Sequence, residues 1–266
     1  MSDTILEYLE KFGDKTFDRL PFGEVDALIL AQFAYLKFDG LIPGPDESDS
    51  FIPIKSLKKN KDFAKLFSDT RYEKVNRELF TRMTSGKRFG TLSMTHYVNI
   101  VDKARDIQFS AITFKLSGGT GFVAFRGTDE NMVGWKEDFN LSIMDRIPGE
   151  KEAVGYLKKA SGLLSGTFYV GGHSKGGLLS VYASSLVPES IKKRIINVYS
   201  FDGPAVREAA RTPAPAAAVS CLICFFSQAF RVMTFFTREN RLLSVQYIVS
   251  PAGELYSSTR KSAAMP

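Results

Sequence analysis

Apolar residues in the first 38 positions recur with the period of a helix. After a break at Pro21-Phe22-Gly23, residues 25–38 form an apolar run that is long enough for a buried helix. Residues 39–54 are rich in glycine and proline and are predicted to form a loop. Residues 57–85 are highly charged, and their pattern predicts a solvated pair of helices.

The pattern changes beyond residue 85 to short β-type runs that alternate with helical stretches. Four segments have the apolar character of strands: 109–116, 122–125, 167–170 and 195–201. Three further segments suit helices: 134–143, 150–164 and 178–186. The first two strands flank the turn-rich spacer Ser117-Gly118-Gly119 and predict a hairpin. The alternation as a whole predicts an α/β fold with a mostly parallel sheet flanked by helices.

The composition is that of a globular protein and excludes several classes. Of the 266 residues, 44% are hydrophobic and 24% are charged, which argues against wholesale disorder. Two cysteines and two histidines are too few for a disulfide framework or a multi-zinc protein. The Cys221-Leu222-Ile223-Cys224 segment is interpreted as two buried thiols. We therefore expect no metal and no cofactor.

The net charge of +6 belongs mainly to the end of the chain. Through Gly203 there are 28 basic against 26 acidic residues, whereas residues 204–266 hold 7 against 3. No basic stripe with interleaved aromatic residues occurs in the body, so a nucleic-acid partner is not expected. The first 15 residues carry acids where a signal peptide needs a basic start and an apolar run, which predicts a cytoplasmic protein.

The strand predicted at 167–170 leads into Gly172-His173-Ser174-Lys175-Gly176. A G-x-S-x-G segment between a strand and an apolar helix is typical of a nucleophile elbow, a sharp turn that lifts the serine hydroxyl above the sheet edge. Glycines two positions either side of the serine avoid a collision there. The helix N-terminus favours negative charge that develops beside Ser174. The alternative is an ordinary glycine-rich turn whose serine caps the helix.

A second candidate lies at the end of the strand predicted at 122–125. Gly127 and Thr128 follow that strand, and a strand end of this kind can present a backbone N–H group to an oxyanion. The N–H group of Lys175, the residue after the nucleophile, is the second candidate donor. The alternative is a strand that simply ends in a polar turn.

Together these segments resemble a known family in residues 122–140, 170–184 and 198–204. They are similar to the Mbeg-like, lipase-related family of bacterial proteins in the α/β-hydrolase superfamily, and to class 3, fungal-type lipases. The shared features are an F-R-G-T strand end, a Trp and an Asp shortly after it, and a G-H-S-x-G-G elbow. The resemblance implies a serine hydrolase with Ser174 as the nucleophile and with Thr128 and Lys175 at the oxyanion hole. Leu178 departs from the family, which usually has Asn there.

The acid of a catalytic triad has more than one candidate. Asp202 follows the strand predicted at 195–201 and comes 28 residues after Ser174, about one β–α–β crossover. That spacing predicts that Asp202 lies at the same carboxyl edge as Ser174. An equally good interpretation is a turn aspartate before Gly203-Pro204. Asp129 and Asp138 are rivals, although Asp138 is better interpreted, with Trp135, as a brace for the loop beneath the oxyanion strand.

The general base is missing from its expected place. In this fold the order is Ser, acid, His, but the only histidines are His96 and His173. His173 belongs to the elbow, and its side chain is expected to point away from Ser174. His96 lies upstream and is better interpreted as a surface or core residue than as the base. A Ser-Lys pair with Lys175 is geometrically poor, because adjacent side chains on an elbow diverge.

Three segments follow from these observations: a helical segment at 1–85 packed on the core, an α/β-hydrolase core at 86–204 and an atypical tail at 205–266. Up to Gly203, Lys exceeds Arg by 19 to 9, whereas from Pro204 Arg exceeds Lys by 6 to 1. The tail lacks the further strands and the late His expected of the family. We hypothesise that it is out of frame or poorly packed. Residues 216–236 suit contact with a membrane surface, but their uncharged part before Arg231 has only 15 residues and holds polar side chains, so it is not expected to span a membrane.

The sequence thus predicts a lipase-like or esterase-like serine hydrolase that acts on a small-molecule ester or lipid. Its activity is expected to be impaired because the base is missing. The alternative is a catalytically inactive α/β-hydrolase-fold protein that binds or scaffolds and keeps the elbow as architecture.

Overall fold

The computed structural model describes residues 4–68, 73–128 and 148–204, together with the backbone of four later strands at 218–227, 230–236, 242–249 and 255–261. Everything below concerns these residues. The helices are α1 (Ile5–Phe12), α2 (Glu24–Phe33), α3 (Glu73–Ser85), α4 (Pro148–Leu163), α5 (Lys175–Leu186) and α6 (Glu189–Lys192). Short 3-10 helices lie at Ile54–Lys59, Phe63–Phe67 and Ser117–Gly119.

One sheet contains all the described strands, and its spatial order equals the chain order. The strands are β1 (Ile52–Pro53), β2 (Ser93–Asp102), β3 (Ile107–Lys115), β4 (Gly121–Phe125), β5 (Phe168–His173), β6 (Ile195–Phe201), β7 (Ala218–Ser227), β8 (Phe230–Phe236), β9 (Leu242–Val249) and β10 (Leu255–Lys261). The predicted hairpin is present as the antiparallel pair β3–β4, and the predicted strand at 195–201 coincides with β6.

The sheet is mixed, so the α/β class is confirmed but the prediction of a mostly parallel sheet is wrong. Parallel pairing is confined to the neighbours β4–β5, β5–β6 and β6–β7. All the other described pairs are antiparallel. The reason is connection length, because parallel neighbours need a crossover helix such as α4 or α5, whereas β2, β3 and β4 are joined by turns of a few residues.

The two faces of the sheet bury two separate apolar clusters. On β3 and β4, Ile112 and Ala124 contribute to a cluster with α1, α2, α3 and the 3-10 helices at Ile54–Lys59 and Phe63–Phe67. Their neighbours Ala111 and Val123 contribute to a cluster on the other face, with α4 and α5. The two-residue alternation sends successive side chains to opposite faces. Because both faces are covered, β4 is buried along its whole length and is a continuous apolar run.

The predicted helix pair at 57–85 differs from what the structure shows. The first half consists of two 3-10 helices, and only α3 is an α-helix. Strand β2 was not predicted as a strand. The predicted helix at 134–143 lies outside the described residues.

The tail also departs from the prediction. Four strands follow residue 204, so the prediction that no further strands occur there is wrong. β7 pairs in parallel with β6, and the pairs β7–β8, β8–β9 and β9–β10 are antiparallel. The sequence of β7, AVSCLICFFS, is rich in the β-branched and aromatic residues that favour strands. Within the described ranges, no helix has both the length and the apolar character needed to cross a membrane.

A buried ion pair ties the N-terminal helices to the segment that precedes β2. Arg88 reaches Asp26 through two bonds, from Nε to Oδ1 at 2.6 Å and from Nη2 to Oδ2 at 2.5 Å. Both side chains are fully buried, and Arg88 Nη1 also donates to the carbonyl oxygens of Lys15 and Leu20. The Tyr8 hydroxyl donates to the same carboxylate, and burial followed by the charge of Asp26 raises the pKa of Tyr8.

We predict that Asp26→Asn lowers the free energy of unfolding by about 3–5 kcal/mol, because it leaves a buried guanidinium without its counter-charge. Urea denaturation followed by circular dichroism measures the change. The control is Glu73→Gln, which breaks an exposed pair with Arg77 and should cost less than about 1 kcal/mol. An equal effect of the two substitutions would contradict the prediction.

Candidate active site

The turn between β5 and α5 forces one residue into a strained conformation. Ser174 lies between the last residue of β5 and the first of α5, with φ 57° and ψ −128°. A positive φ costs a residue with a side chain about 1–3 kcal/mol and persists only where the surroundings enforce it. Ser174 is half-buried, so its side chain remains accessible at the edge of the sheet.

The glycines of the motif are required by close backbone contacts. A Cβ on Gly172 would lie 2.5 Å from the carbonyl of Gly176 and would collide with the carbonyl oxygen of Phe125. A Cβ on Gly176 would collide with that same oxygen and would lie 2.9 Å from the carbonyl carbon of Arg126. The turn therefore packs directly against the end of β4, and only glycine fits at positions 172 and 176.

The backbone of Ser174 is anchored, whereas its hydroxyl does not cap the helix. The N–H group of Ser174 donates to the carbonyl oxygen of Phe201 at 2.7 Å, and its own carbonyl accepts from Gly177 at 2.8 Å. The side chain makes no capping hydrogen bond to α5. The alternative of a helix-capping serine is therefore not what the geometry shows.

The end of β4 packs against the turn that carries Ser174. Phe125 pairs with Gly172, so the segment after β4 continues past Ser174. A Cβ on Gly127 would lie 3.1 Å from the Cβ of Ser174, and the half-buried Thr128 follows. Lys175 is the first residue of α5, where helix amides carry partial positive charge. Lys175 thus follows Ser174 directly, and Thr128 follows the glycine that lies against the Ser174 side chain.

The ammonium group of Lys175 binds to β3. The side chain is buried, and its ammonium group donates to the backbone oxygen of Gln108 at 2.8 Å and to the Oε1 atom of the same residue at 2.9 Å. Gln108 belongs to β3, two strands away from β5. The expectation that Ser174 and Lys175 form no Ser-Lys pair agrees with this geometry.

Asp202 follows β6, next to the strand that carries the elbow. Its carboxylate is 9% exposed, and its backbone has φ 54°. Because the preceding residue, Phe201, accepts the N–H group of Ser174, the two candidate residues share one edge of the sheet. The structure therefore brings Asp202 to the edge that the spacing predicts.

The ring of His173 lies between two partners that the sequence analysis did not connect. Nδ1 is 2.9 Å from the hydroxyl of Tyr35, and Nε2 is 4.0 Å from Oδ2 of Asp202. Tyr35 follows the end of α2 and was predicted only as part of an apolar helix. No sequence signal reveals this contact, because the two residues are 138 positions apart.

His96 is remote from the elbow. It lies on β2, and β3 and β4 separate that strand from β5, a distance of about 14 Å at ordinary strand spacing. Its ring is buried, and Nε2 is 2.9 Å from a carboxylate oxygen of Asp49. The interpretation of His96 as a structural residue fits this position.

The remaining predicted residues lie outside the described part of the chain. These are the rival acids Asp129 and Asp138 and the neighbouring Trp135. Among the described residues, no group of three or more His, Cys, Asp or Glu side chains is arranged to hold a metal ion.

Comparison with known proteins gives one match. The model of the family described as Mbeg1-like matches residues 83–220, which is more than half of the chain. This range contains the elbow, Thr128 and Asp202, whereas Tyr35 lies before it. No curated protein and no solved structure matches the chain.

We predict that Ser174→Gly is more stable than Ser174→Ala by about 1 kcal/mol. Both variants lack the hydroxyl, but only alanine keeps the Cβ that makes φ 57° unfavourable. The gain is partly offset by the larger conformational entropy of glycine in the unfolded chain. Thermal unfolding of the two variants gives the comparison, and a more stable alanine variant would show that position 174 is not strained.

Proposed function

This chain belongs to the Mbeg1-like family, and from that premise we propose that it is a serine hydrolase of the α/β-hydrolase type, with a lipase-like or esterase-like activity. The substrate class is a small-molecule carboxylic ester or a lipid. Ser174 is the nucleophile, the N–H groups of Thr128 and Lys175 hold the oxyanion, and Asp202 is the acid.

One observation carries the proposal, namely the strained turn at Ser174. A serine is kept at positive φ although glycine would fit there without strain, and its hydroxyl is not used to cap α5. Strain of this kind clusters at functional sites, where it holds a reactive side chain in place. A turn that served only as architecture would be more stable with glycine at its tip.

The arrangement supports a two-step acyl transfer. The Ser174 oxygen attacks the ester carbonyl, and negative charge develops on the carbonyl oxygen beside the first turn of α5. Collapse of the tetrahedral intermediate releases the alcohol and leaves an acyl group on Ser174. Water then attacks the acyl group, which leaves as the carboxylic acid and restores the serine hydroxyl.

The lack of a histidine in the usual position of the general base limits the rate of hydrolysis. No histidine follows residue 173, so the chain lacks the base of the usual triad order. Hydrolases without one triad member keep only about 10³–10⁴-fold acceleration over water, from the oxyanion hole and binding. We therefore expect slow turnover but measurable acylation by a strong electrophile.

The second candidate is a catalytically inactive protein that binds or scaffolds. The observation that favours it is the placement of the two histidines. His96 is held by Asp49 three strands away from β5, and His173 Nδ1 is held by Tyr35. In that case the elbow would persist only as architecture.

Membrane contact through residues 216–236 is a separate proposal. This segment includes all of β7 and all of β8. Flotation with liposomes would reveal such contact.

We predict that a fluorophosphonate probe labels the wild-type protein and that Ser174→Ala abolishes the labelling. Covalent reaction requires an accessible serine oxygen beside groups that stabilise negative charge. Intact-protein mass spectrometry measures the phosphonyl adduct. The control is Ser165→Ala, which removes an exposed serine outside the elbow and should leave labelling unchanged.

The outcomes separate the two candidates. Labelling that depends on Ser174 supports the hydrolase. A folded wild-type protein that stays unlabelled supports the binding or scaffold protein, and labelling that survives Ser174→Ala would place the nucleophile elsewhere.

A further inference from the structure

Tyr35 lies at the candidate active site, although it belongs to the N-terminal part of the chain. It lies two residues beyond α2, is half-buried, and its backbone N–H group donates to Gln32. Its ring meets that of His173 edge-on, with centroids 5.9 Å apart and an interplanar angle of 62°. Its hydroxyl lies 2.9 Å from Nδ1 of His173.

The Tyr35 hydroxyl is also a neighbour of the nucleophile. A Cβ placed on Gly127 would collide with the Tyr35 hydroxyl and would lie 3.1 Å from the Cβ of Ser174. Both groups therefore lie close to the side of Gly127 on which a Cβ would stand, and no room for a side chain remains there.

His173 lies between Tyr35 and Asp202, with one ring nitrogen facing each. The Asp202 carboxylate, 4.0 Å from Nε2, favours a proton on that nitrogen. With Nε2 protonated, Nδ1 is the acceptor and takes the hydrogen bond from Tyr35. The same carboxylate stabilises the ring further when it becomes an imidazolium.

We propose that Tyr35 relays the proton of Ser174 to His173, so that Tyr35, His173 and Asp202 replace the histidine that the chain lacks downstream. This inference rests on the hydrolase function proposed above. His173 precedes Ser174 in the turn and presents Nδ1 to Tyr35, and the Tyr35 hydroxyl and the Ser174 side chain both lie beside Gly127, which places the phenol to act between them.

The relay consists of two coupled proton transfers. As the Ser174 oxygen bonds to the substrate, its proton moves to the Tyr35 oxygen. The phenolic proton moves to Nδ1 of His173, which becomes an imidazolium beside Asp202, while Tyr35 stays neutral. When the intermediate collapses, the same path returns the proton to the departing group.

The competing explanation is structural, because the Tyr35–His173 hydrogen bond also ties α2 to β5. A purely structural bond predicts changes in stability or probe binding but no specific loss in the chemical step. The maximal labelling rate at saturating fluorophosphonate therefore distinguishes the two roles, since it reports chemistry separately from probe affinity.

We expect Tyr35→Phe to lower this maximal rate about 10²–10⁴-fold, the usual contribution of acid–base catalysis, without a matching change in probe affinity. His173→Gln should do the same. The double variant should be no slower than the slower single variant, because the two residues act as one unit. The matched control is Tyr169→Phe. Tyr169 lies on β5 and packs against the same apolar cluster as α2, so the substitution removes a nearby phenol hydroxyl and should leave the rate unchanged.

Thermal unfolding of each variant checks the fold, and His173→Gln decides the matter if Tyr35→Phe is unstable. Wild-type rates in folded Tyr35→Phe or His173→Gln would overturn the relay and leave the hydrolase intact. Losses that multiply in the double variant would also overturn it. A wild-type protein that is not labelled at Ser174 would remove the hydrolase itself.

Discussion

The close packing of the elbow against the end of β4 is the constraint on which the site depends. Gly172 and Gly176 both pack against the carbonyl oxygen of Phe125. Ser174 lies midway between them, and this packing holds its backbone at a positive φ. Ser174 therefore stays at positive φ while its N–H group is fixed to the end of β6. A position that is over-determined by its neighbours can keep a strained side chain in a reactive place.

The order of the strands brings the other candidate site residues to the same edge of the sheet as Ser174. Because β4, β5 and β6 are parallel neighbours, the residues that follow them meet at one edge. Thr128, Ser174 and Asp202 come from these three strand ends, although they are far apart in the chain. The N-terminal helices cover one face of the same strands and deliver Tyr35 to that edge. The buried Arg88–Asp26 pair fixes α2 in that position.

The sequence predicted what depends on local chemistry and missed what depends on distant contacts. The tight turn at Ser174 between a strand and a helix was predictable because its glycines, its serine and the flanking strand and helix are contiguous. The position of Asp202 was predictable because a β–α–β crossover has a typical length. The mixed pairing was missed because the apolar pattern of a doubly covered strand does not reveal its direction. Tyr35 was missed because an aromatic residue in an apolar run looks like any core residue until the fold brings it to His173.

The central claim is that the Ser174 oxygen is the reactive atom and that the backbone around it is built for negative charge. The most direct test is a crystal structure of the protein after reaction with a fluorophosphonate. The account predicts continuous density between phosphorus and Oγ of Ser174, with the phosphonyl oxygen within hydrogen-bond distance of the N–H groups of Lys175 and Thr128. An adduct on another residue, or a phosphonyl oxygen that faces away from both amides, would contradict it.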